Sequence, residues 1–300
     1  MKKVSIILPV YNVAPYLNEA FQSLVNQTLR EIEIIVVNDG STDDSQDIIN
    51  KFTASDSRII CIYQENQGQS VARNVALQYA TGKYIYMMDS DDILSTPDAL
   101  SICYEYAEKT QADFVFFDAD IFHEKGAESI SRNYHRTHLV EEYRQYCGHY
   151  LLDLMLNKRR HNCVVWLLFI NQNYLKSINL NFHPGIIHED ELFTTILTLK
   201  SDKIFCLKKS FVKHRIRFAS TMGKEYSKRN LDCYLTVIDE LFKFQKSPII
   251  NRFAKYTLSK VFYTGHTIPF KDKFPIFWRA MKSGYLNYIG LKSSLVFWLK

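Results

Sequence analysis

A chain of 300 residues, 47% apolar and 23% charged, holds one large or two modest domains and can bury a sizeable core, which excludes disorder as its main state. The net charge of +5 hides a split: residues 1–199 carry 16 basic against 26 acidic side chains, and residues 200–300 carry 21 against 6, so the last third is expected to face an anionic partner or form a solvated basic face. Six scattered cysteines (61, 103, 147, 163, 206, 233) with no CxxC pair read as reduced, mostly buried thiols in the cytosol rather than a disulfide framework or zinc site.

Met1-Lys2-Lys3 runs straight into the apolar stretch Val4–Leu8, stopped by Pro9, so no signal peptide is expected. Residues 14–27 place Leu17, Ala20, Phe21, Leu24 and Val25 at helical spacing. Residues 33–37, Glu followed by four β-branched side chains, read as a strand buried on both faces and end in the turn Asn38-Asp39-Gly40-Ser41. A helix is predicted from Thr42 to Lys51, a strand over 58–64, and a helix over 70–80 with Gly82 as its stop. A strand follows at Tyr84–Met88, then a helix opened by Pro97, then a strand over 113–122. Residues 123–137 read as a loop and 140–157 as a helix. The longest apolar run, Cys163–Ile170, reads as a buried segment too short to cross a bilayer. Residues 182–187 form a Pro-Gly turn leading through His188-Glu189-Asp190-Glu191 into the helix 192–199. Residues 204–217 read as one or two strands, and helices alone follow from 225.

Strands alternating with helices over the first 120 residues predict βαβ units and a parallel, doubly wound sheet, whose ligand sits beyond the carboxyl ends of the strands. Asn12, Asp39, Asn66, and Asp89 with Asp91 all fall at such ends. Alternation puts Asp89 and Asp91 on one side of Asp89-Ser90-Asp91-Asp92, where three repelling carboxylates suit a divalent ion and a nucleotide diphosphate. The plain alternative is a cap cluster for the helix after Pro97. Asp39 suits a base N–H or ribose hydroxyl, or an ordinary strand-to-helix turn. Arg73 suits a nucleotide, or an ion pair with Asp39 or Asp89. Glu189 and Asp190 at a helix start suit either a dipole complement or a general base.

These pieces, in order over residues 4–222, resemble family 2 glycosyltransferases of the GT-A fold. The matching stretches are Val4–Asn12, Glu33–Ser45 with its Val-Asn-Asp-Gly-Ser-Thr-Asp core, Asn66-x-Gly-x-Ser-x-x-Arg-Asn, Gly82–Asp92 and Glu189-Asp190. The resemblance is greatest to bacterial enzymes that build capsule, lipopolysaccharide or exopolysaccharide. It implies a mainly parallel mixed sheet flanked by helices: a catalytic domain over 1–222, with a nucleotide-binding half to about 122 and an acceptor half from 123, then a basic helical region over 223–300.

It also implies roles. Pro9, Tyr11 and Asp39 would line the uracil or ribose pocket beside Arg73. Asp89 would contact the ribose and metal, and Asp91 would ligate Mn2+ or Mg2+ on the diphosphate of a UDP-sugar, with Asp92 a weaker candidate. Asp190 would be the base, with Glu189 as a further phosphate or acceptor contact. His214 would be a further metal or phosphate ligand, and Arg215 and Arg217 would bind phosphate; Ser220-Thr221 follow them, as a Ser does in the family. The residues after Trp166 depart from the family, which often has Lys or Asn close after its mid-chain Trp; here Leu167-Leu168-Phe169 follow. The Gln-x-x-Arg-Trp motif and membrane spans of processive members are absent from the sequence, so transfer of one sugar is expected.

A nucleotide-sugar-forming nucleotidyltransferase would need a Gly-rich basic loop after the first strand, which Pro9-Val10-Tyr11-Asn12 does not supply. A catalytically inactive sugar-nucleotide-binding module would lack a carboxylate, and Asp39, Asp89, Asp91 and Asp190 are all present. No nucleic-acid module is visible. The acceptor expected from the resemblance is a lipid-diphosphate-linked saccharide, reached from the inner face of the plasma membrane. Residues 271–300 interleave basic with aromatic and aliphatic residues, which fits a peripheral helix pair on an anionic surface, packing on the catalytic domain, or a homodimer contact.

Overall fold

Apolar and β-branched runs near the N-terminus require cover on both faces, and helices returning over each side of one sheet supply it. The computed structural model describes residues 1–217 and 226–299. In chain order they form β1 (Val4–Val10), α1 (Ala14–Val25), β2 (Ile32–Asp39), α2 (Ser45–Ser55), β3 (Ile59–Gln64), α3 (Gln69–Tyr79), β4 (Tyr84–Met87) and β5 (Ile93–Leu94). Next come α4 (Ala99–Thr110), β6 (Phe114–His123), α5 (Gly148–Asn157), β7 (Leu168–Asn171), α6 (Gln172–Ser177), α7 (Glu189–Leu199) and β8 (Ile204–Ile216). Helices α8 (Lys228–Phe244), α9 (Pro248–Thr264), α10 (Phe270–Lys282) and α11 (Leu291–Leu299) complete the described chain.

The eight strands make one sheet in the order β3-β2-β1-β4-β7-β6-β8-β5. The first four run parallel, as the βαβ pattern predicts. The sheet is nevertheless mixed, because β7 enters antiparallel between β4 and β6, and β5 pairs antiparallel with β8. Alternate residues of each strand feed opposite cores. Ile6, Leu8, Ile34 and Val36 pack with Phe21 of α1 and Leu100 of α4, while Ile7, Ile35 and Val37 pack with Ala76 of α3 and Phe193 of α7.

Several local expectations change. The helix predicted over 140–157 starts only at Gly148, because Tyr146 bridges Ile204 of β8 instead. Ile204–Ile216 forms a single strand, one of the two outcomes expected there, whereas β5 and α6 were not anticipated. Gly82 is not the stop of α3, which ends at Tyr79; a Cβ at Gly82 would lie 2.5 Å from Ser5 N, so glycine is there for close approach to β1. None of Asp89, Asp91 and Asp92 caps α4, whose N-cap is Asp98 beyond the intervening β5.

The helical region has its own core around Ile238, Phe253 and Phe262, joined to the sheet layer through Leu152 and Leu156 of α5 and Leu192 and Leu199 of α7. Each such aromatic or aliphatic side chain contributes about 1.5–3 kcal/mol by leaving water. The expected domain border at 222 lies outside the described residues. All six cysteines are free; four are buried and Cys147 is exposed.

Candidate active site

The carboxyl ends of β1, β2 and β3 meet in an interlocked set of turns. Asn12 stands after β1 with φ +50°, and its Oδ1 accepts the Thr42 N–H at 2.8 Å. Asp39, the last residue of β2, is buried and organises the loop between β3 and α3. Its Oδ1 accepts from Gln64 Nε2 at 2.7 Å and Gln67 N at 2.8 Å, and its Oδ2 accepts from Gly68 N at 2.8 Å. A carboxylate oxygen has two acceptor sites, so Oδ2 keeps one for a further donor. Pro9 is buried within β1, and Tyr11 just beyond it is exposed.

Arg73 is the organising cation. It projects from α3, 2% exposed, against the Phe182 ring. Its Nη2 donates to Asp89 Oδ1 at 2.9 Å, and its Nη1 donates to Glu189 Oε1 at 2.9 Å and Asp190 Oδ1 at 2.7 Å. The strand-end acid is thereby drawn together with two acids opening α7. Three carboxylates around one buried cation leave net negative charge, which favours a further cation or a proton nearby. Burial raises the Asp190 carboxyl to about 7; Arg73 works against that, while Glu189 and Asp89 add to it. A carboxyl raised toward neutral pH is well matched to general-base work.

α7 starts unusually. His188 caps it in the left-handed region, φ +68°, and stacks on Tyr234 of α8 with ring centres 4.1 Å apart. Asn230 Nδ2 lies 3.2 Å from His188 Nε2. The C-terminal helices therefore brace the turn that presents Asp190.

The acids after β4 take separate partners. Arg217 donates to Asp91 Oδ2 from Nε at 2.8 Å. Asp92 is fully buried and accepts the Arg215 N–H at 2.9 Å, with His214 Nδ1 at 2.9 Å. Burial would lower His214, but Asp92 beside it outweighs that and raises it above its ordinary value. Trp166 stacks on His214 at 4.8 Å, and Tyr134 meets it edge-on. Arg215 spans Asp91 O, Glu19 and the Tyr16 and Phe122 rings. One oxygen each from Asp89, Asp91 and Asp92 lie within 4.8 Å of one another, a hard-oxygen set suited to a divalent ion. Arg217 on Asp91 supplies positive charge at the same place.

Asp89, Asp91, Asp92, Arg73, Glu189, Asp190, His214, Arg215 and Arg217 thus form one connected network. Asp39 is not in it: Arg73 pairs with Asp89, the other expected partner. Ser220 and Thr221 lie outside the described residues. Asn230, Tyr234, Tyr134 and Gln69, whose Nε2 donates to Asp89 Oδ1 at 3.1 Å, were not anticipated. They carry no local motif and matter only through contacts across the fold.

The model of the family described as "Glycosyl transferase family 2" matches residues 5–178. Glycosyltransferase GlyA of Streptococcus pneumoniae is 32% identical over 234 residues, covering 73% of this chain but only 31% of GlyA. The chain therefore spans less than a third of that relative. The structure of S. aureus TarS 1-349 in complex with UDP-GlcNAc aligns with TM-score 0.73 at 19% identity, covering 98% of this chain and 83% of TarS 1-349. The mannosyltransferase PcManGT from Pyrobaculum calidifontis, in complex with GDP-Man and Mn2+, aligns with TM-score 0.61 at 15% identity, covering 95% of this chain and 77% of its own. At these identities the structural likeness is one of fold.

Proposed function

The chain belongs to glycosyl transferase family 2, and from that premise we propose that it is an inverting, metal-dependent transferase moving one sugar from a UDP-sugar to a hydroxyl of a lipid-diphosphate-linked saccharide in bacterial surface-polysaccharide synthesis. The observation that carries this reading is the Arg73 centre, which joins the acid after β4 to the Glu189-Asp190 pair. Asp190 accepts the proton of the acceptor hydroxyl as that oxygen bonds to the anomeric carbon and the bond from that carbon to the UDP oxygen breaks; attack from the opposite side inverts the centre. Arg73 is a positioning residue that fixes Asp190 beside Asp89. Tyr11 and the free acceptor site of Asp39 Oδ2 hold the base and ribose, with Pro9 shaping the floor.

Asp89, Asp91 and Asp92 fit a hard divalent cation by donor type and spacing, and the Mn2+ bound with GDP-Man in PcManGT supports that assignment. When bound, Mn2+ or Mg2+ neutralises charge growing on the departing diphosphate. Arg217 on Asp91 and Arg215 on the Asp91 carbonyl bring positive charge to where the donor phosphates would lie. His214 holds Asp92 through Nδ1, so its contribution is to orient that acid. UDP release from a panel of UDP-sugars, with and without Mn2+, tests the donor and metal assignments.

The lipid-linked acceptor calls for the inner face of the plasma membrane, and helices α10 and α11 supply a surface for it. Ile276, Ala280 and Phe297 are buried in the helical core. Phe270, Phe274, Trp278 and Met281 instead line an exposed face of α10, and Leu291 and Leu295 one of α11. Lys271, Lys282 and Lys292 stand among them. An apolar face edged by lysine fits the headgroup layer of an anionic bilayer. Among the described residues no helix is long and apolar enough to cross a membrane.

A further inference from the structure

A second group of ligating side chains converges beneath the first turn of α7, apart from the Asp89 cluster. His161 and Cys163 lie in the segment leading to Trp166, and Glu191 directly follows Asp190. His161 Nε2 is 2.6 Å from Cys163 Sγ and 3.9 Å from Glu191 Oε2. The three ligand atoms all lie within 4.8 Å of one another. Cys163 is buried, and the His161 side chain is 10% exposed.

A thiol, an imidazole and a carboxylate brought together suit either a nucleophilic triad or a metal. In a triad the acid holds the ring nitrogen remote from the thiol, fixing the tautomer in which the near nitrogen takes the thiol proton. Here the sulfur and the carboxylate face the same nitrogen. The three groups therefore point at a common centre, as the ligands of a metal do.

We propose that His161 Nε2, Cys163 Sγ and the Glu191 carboxylate form a zinc site distinct from the divalent-ion site on the donor diphosphate. Thiolate, imidazole and carboxylate are the donors zinc takes, whereas a thiolate disfavours Mg2+ and Mn2+. A thiolate and a carboxylate neutralise Zn2+, so the filled site carries no net charge into a buried place. His161 also lines a cavity of about 30 Å³ that is otherwise mostly apolar, and a water would complete a tetrahedral set. The ion would tie segment 161–163 to the turn carrying Asp190 and hold that turn in place. The His-x-Cys spacing resembles no zinc motif in sequence, because the third ligand comes from a distant helix.

The test is metal analysis and cobalt spectroscopy on the full chain. The purified protein should hold one zinc per chain after dialysis against Mg2+. Cobalt exchanged into it should give a thiolate-to-metal charge-transfer band. Cys163→Ser should abolish the band, while Cys147→Ser and Asp91→Ala should keep it. Glu191→Gln, the milder change, should keep the band and weaken cobalt binding about tenfold or more. Absence of any thiolate band in the unaltered protein under excess cobalt would overturn the site, whatever the folding of the variants. A band that survives Cys163→Ser would overturn it equally.

Discussion

Arg73 and Asp190 meet at 2.7 Å although 117 residues of chain separate them, and the same guanidinium holds Asp89 and Glu189. One cation on α3 thus fixes how the acid after β4 faces the acids of α7. Arg73→Met keeps much of the bulk but leaves three crowded carboxylates without their cation. Removing one partner of a buried pair costs about 3–5 kcal/mol. Chemical denaturation should show a loss of that size; a loss under about 1 kcal/mol would mean the acids are held without Arg73.

Asp91 shares its place with Arg217 and lies within ligand reach of Asp89 and Asp92. Asp91→Ala should lower turnover about 10²-fold or more, the scale of losing a main charge-stabilising group. EDTA should stop the unaltered enzyme, and Mn2+ should restore it. Full activity in EDTA would remove the metal from the reaction.

Gly148 begins α5 against α7. A Cβ built there would lie 1.6 Å from Thr198 O, a backbone atom that cannot swing aside. Gly148→Ala should therefore push α7 and cost about 1–3 kcal/mol or more, as overpacking does. A thermal melt unchanged from that of the unaltered protein would show that the two helices separate freely.

The apolar face of α10 and α11 should carry the chain to membranes. The full chain should sediment with anionic vesicles at low salt and less at high salt. Phe274→Ser with Trp278→Ser should bind them poorly, because each removes an exposed aromatic ring of α10. Equal sedimentation of both proteins would take the face away from the bilayer, and loss of a dimer in the double variant would assign it to a second copy.

The parallel part of the fold is legible because its signal is local. Ile34–Val37 is a β-branched run followed by a turn, and Leu17, Phe21 and Leu24 share one helical face. The insertion of β7 is not legible: Cys163–Ile170 is continuously apolar, and such a run states burial without direction. The same division holds at the site. Asp89, Asp91 and Asp190 announce themselves as acids at element ends. Their partners do not, since the Asp92–His214 and Asp91–Arg217 pairs exist only because β8 pairs with β5, which directly follows those acids. Asp39 shows the limit from the other side. Its place was evident, but its engagement with Gln64, Gln67 and Gly68 depends on how the loop after β3 closes.

The identity of the base is the central claim, and Asp190→Asn tests it most directly. Asn keeps size and polarity but cannot take the acceptor proton. The rate of sugar transfer in the unaltered enzyme should climb as pH rises through about 7, because Asp190 must lose its proton to act. In Asp190→Asn, transfer at pH 8 should fall about 10²-fold or more and that limb should vanish, while UDP binding by calorimetry stays close to normal. Near-normal transfer by the Asn variant, with the limb intact, would contradict the account and move the base to another residue.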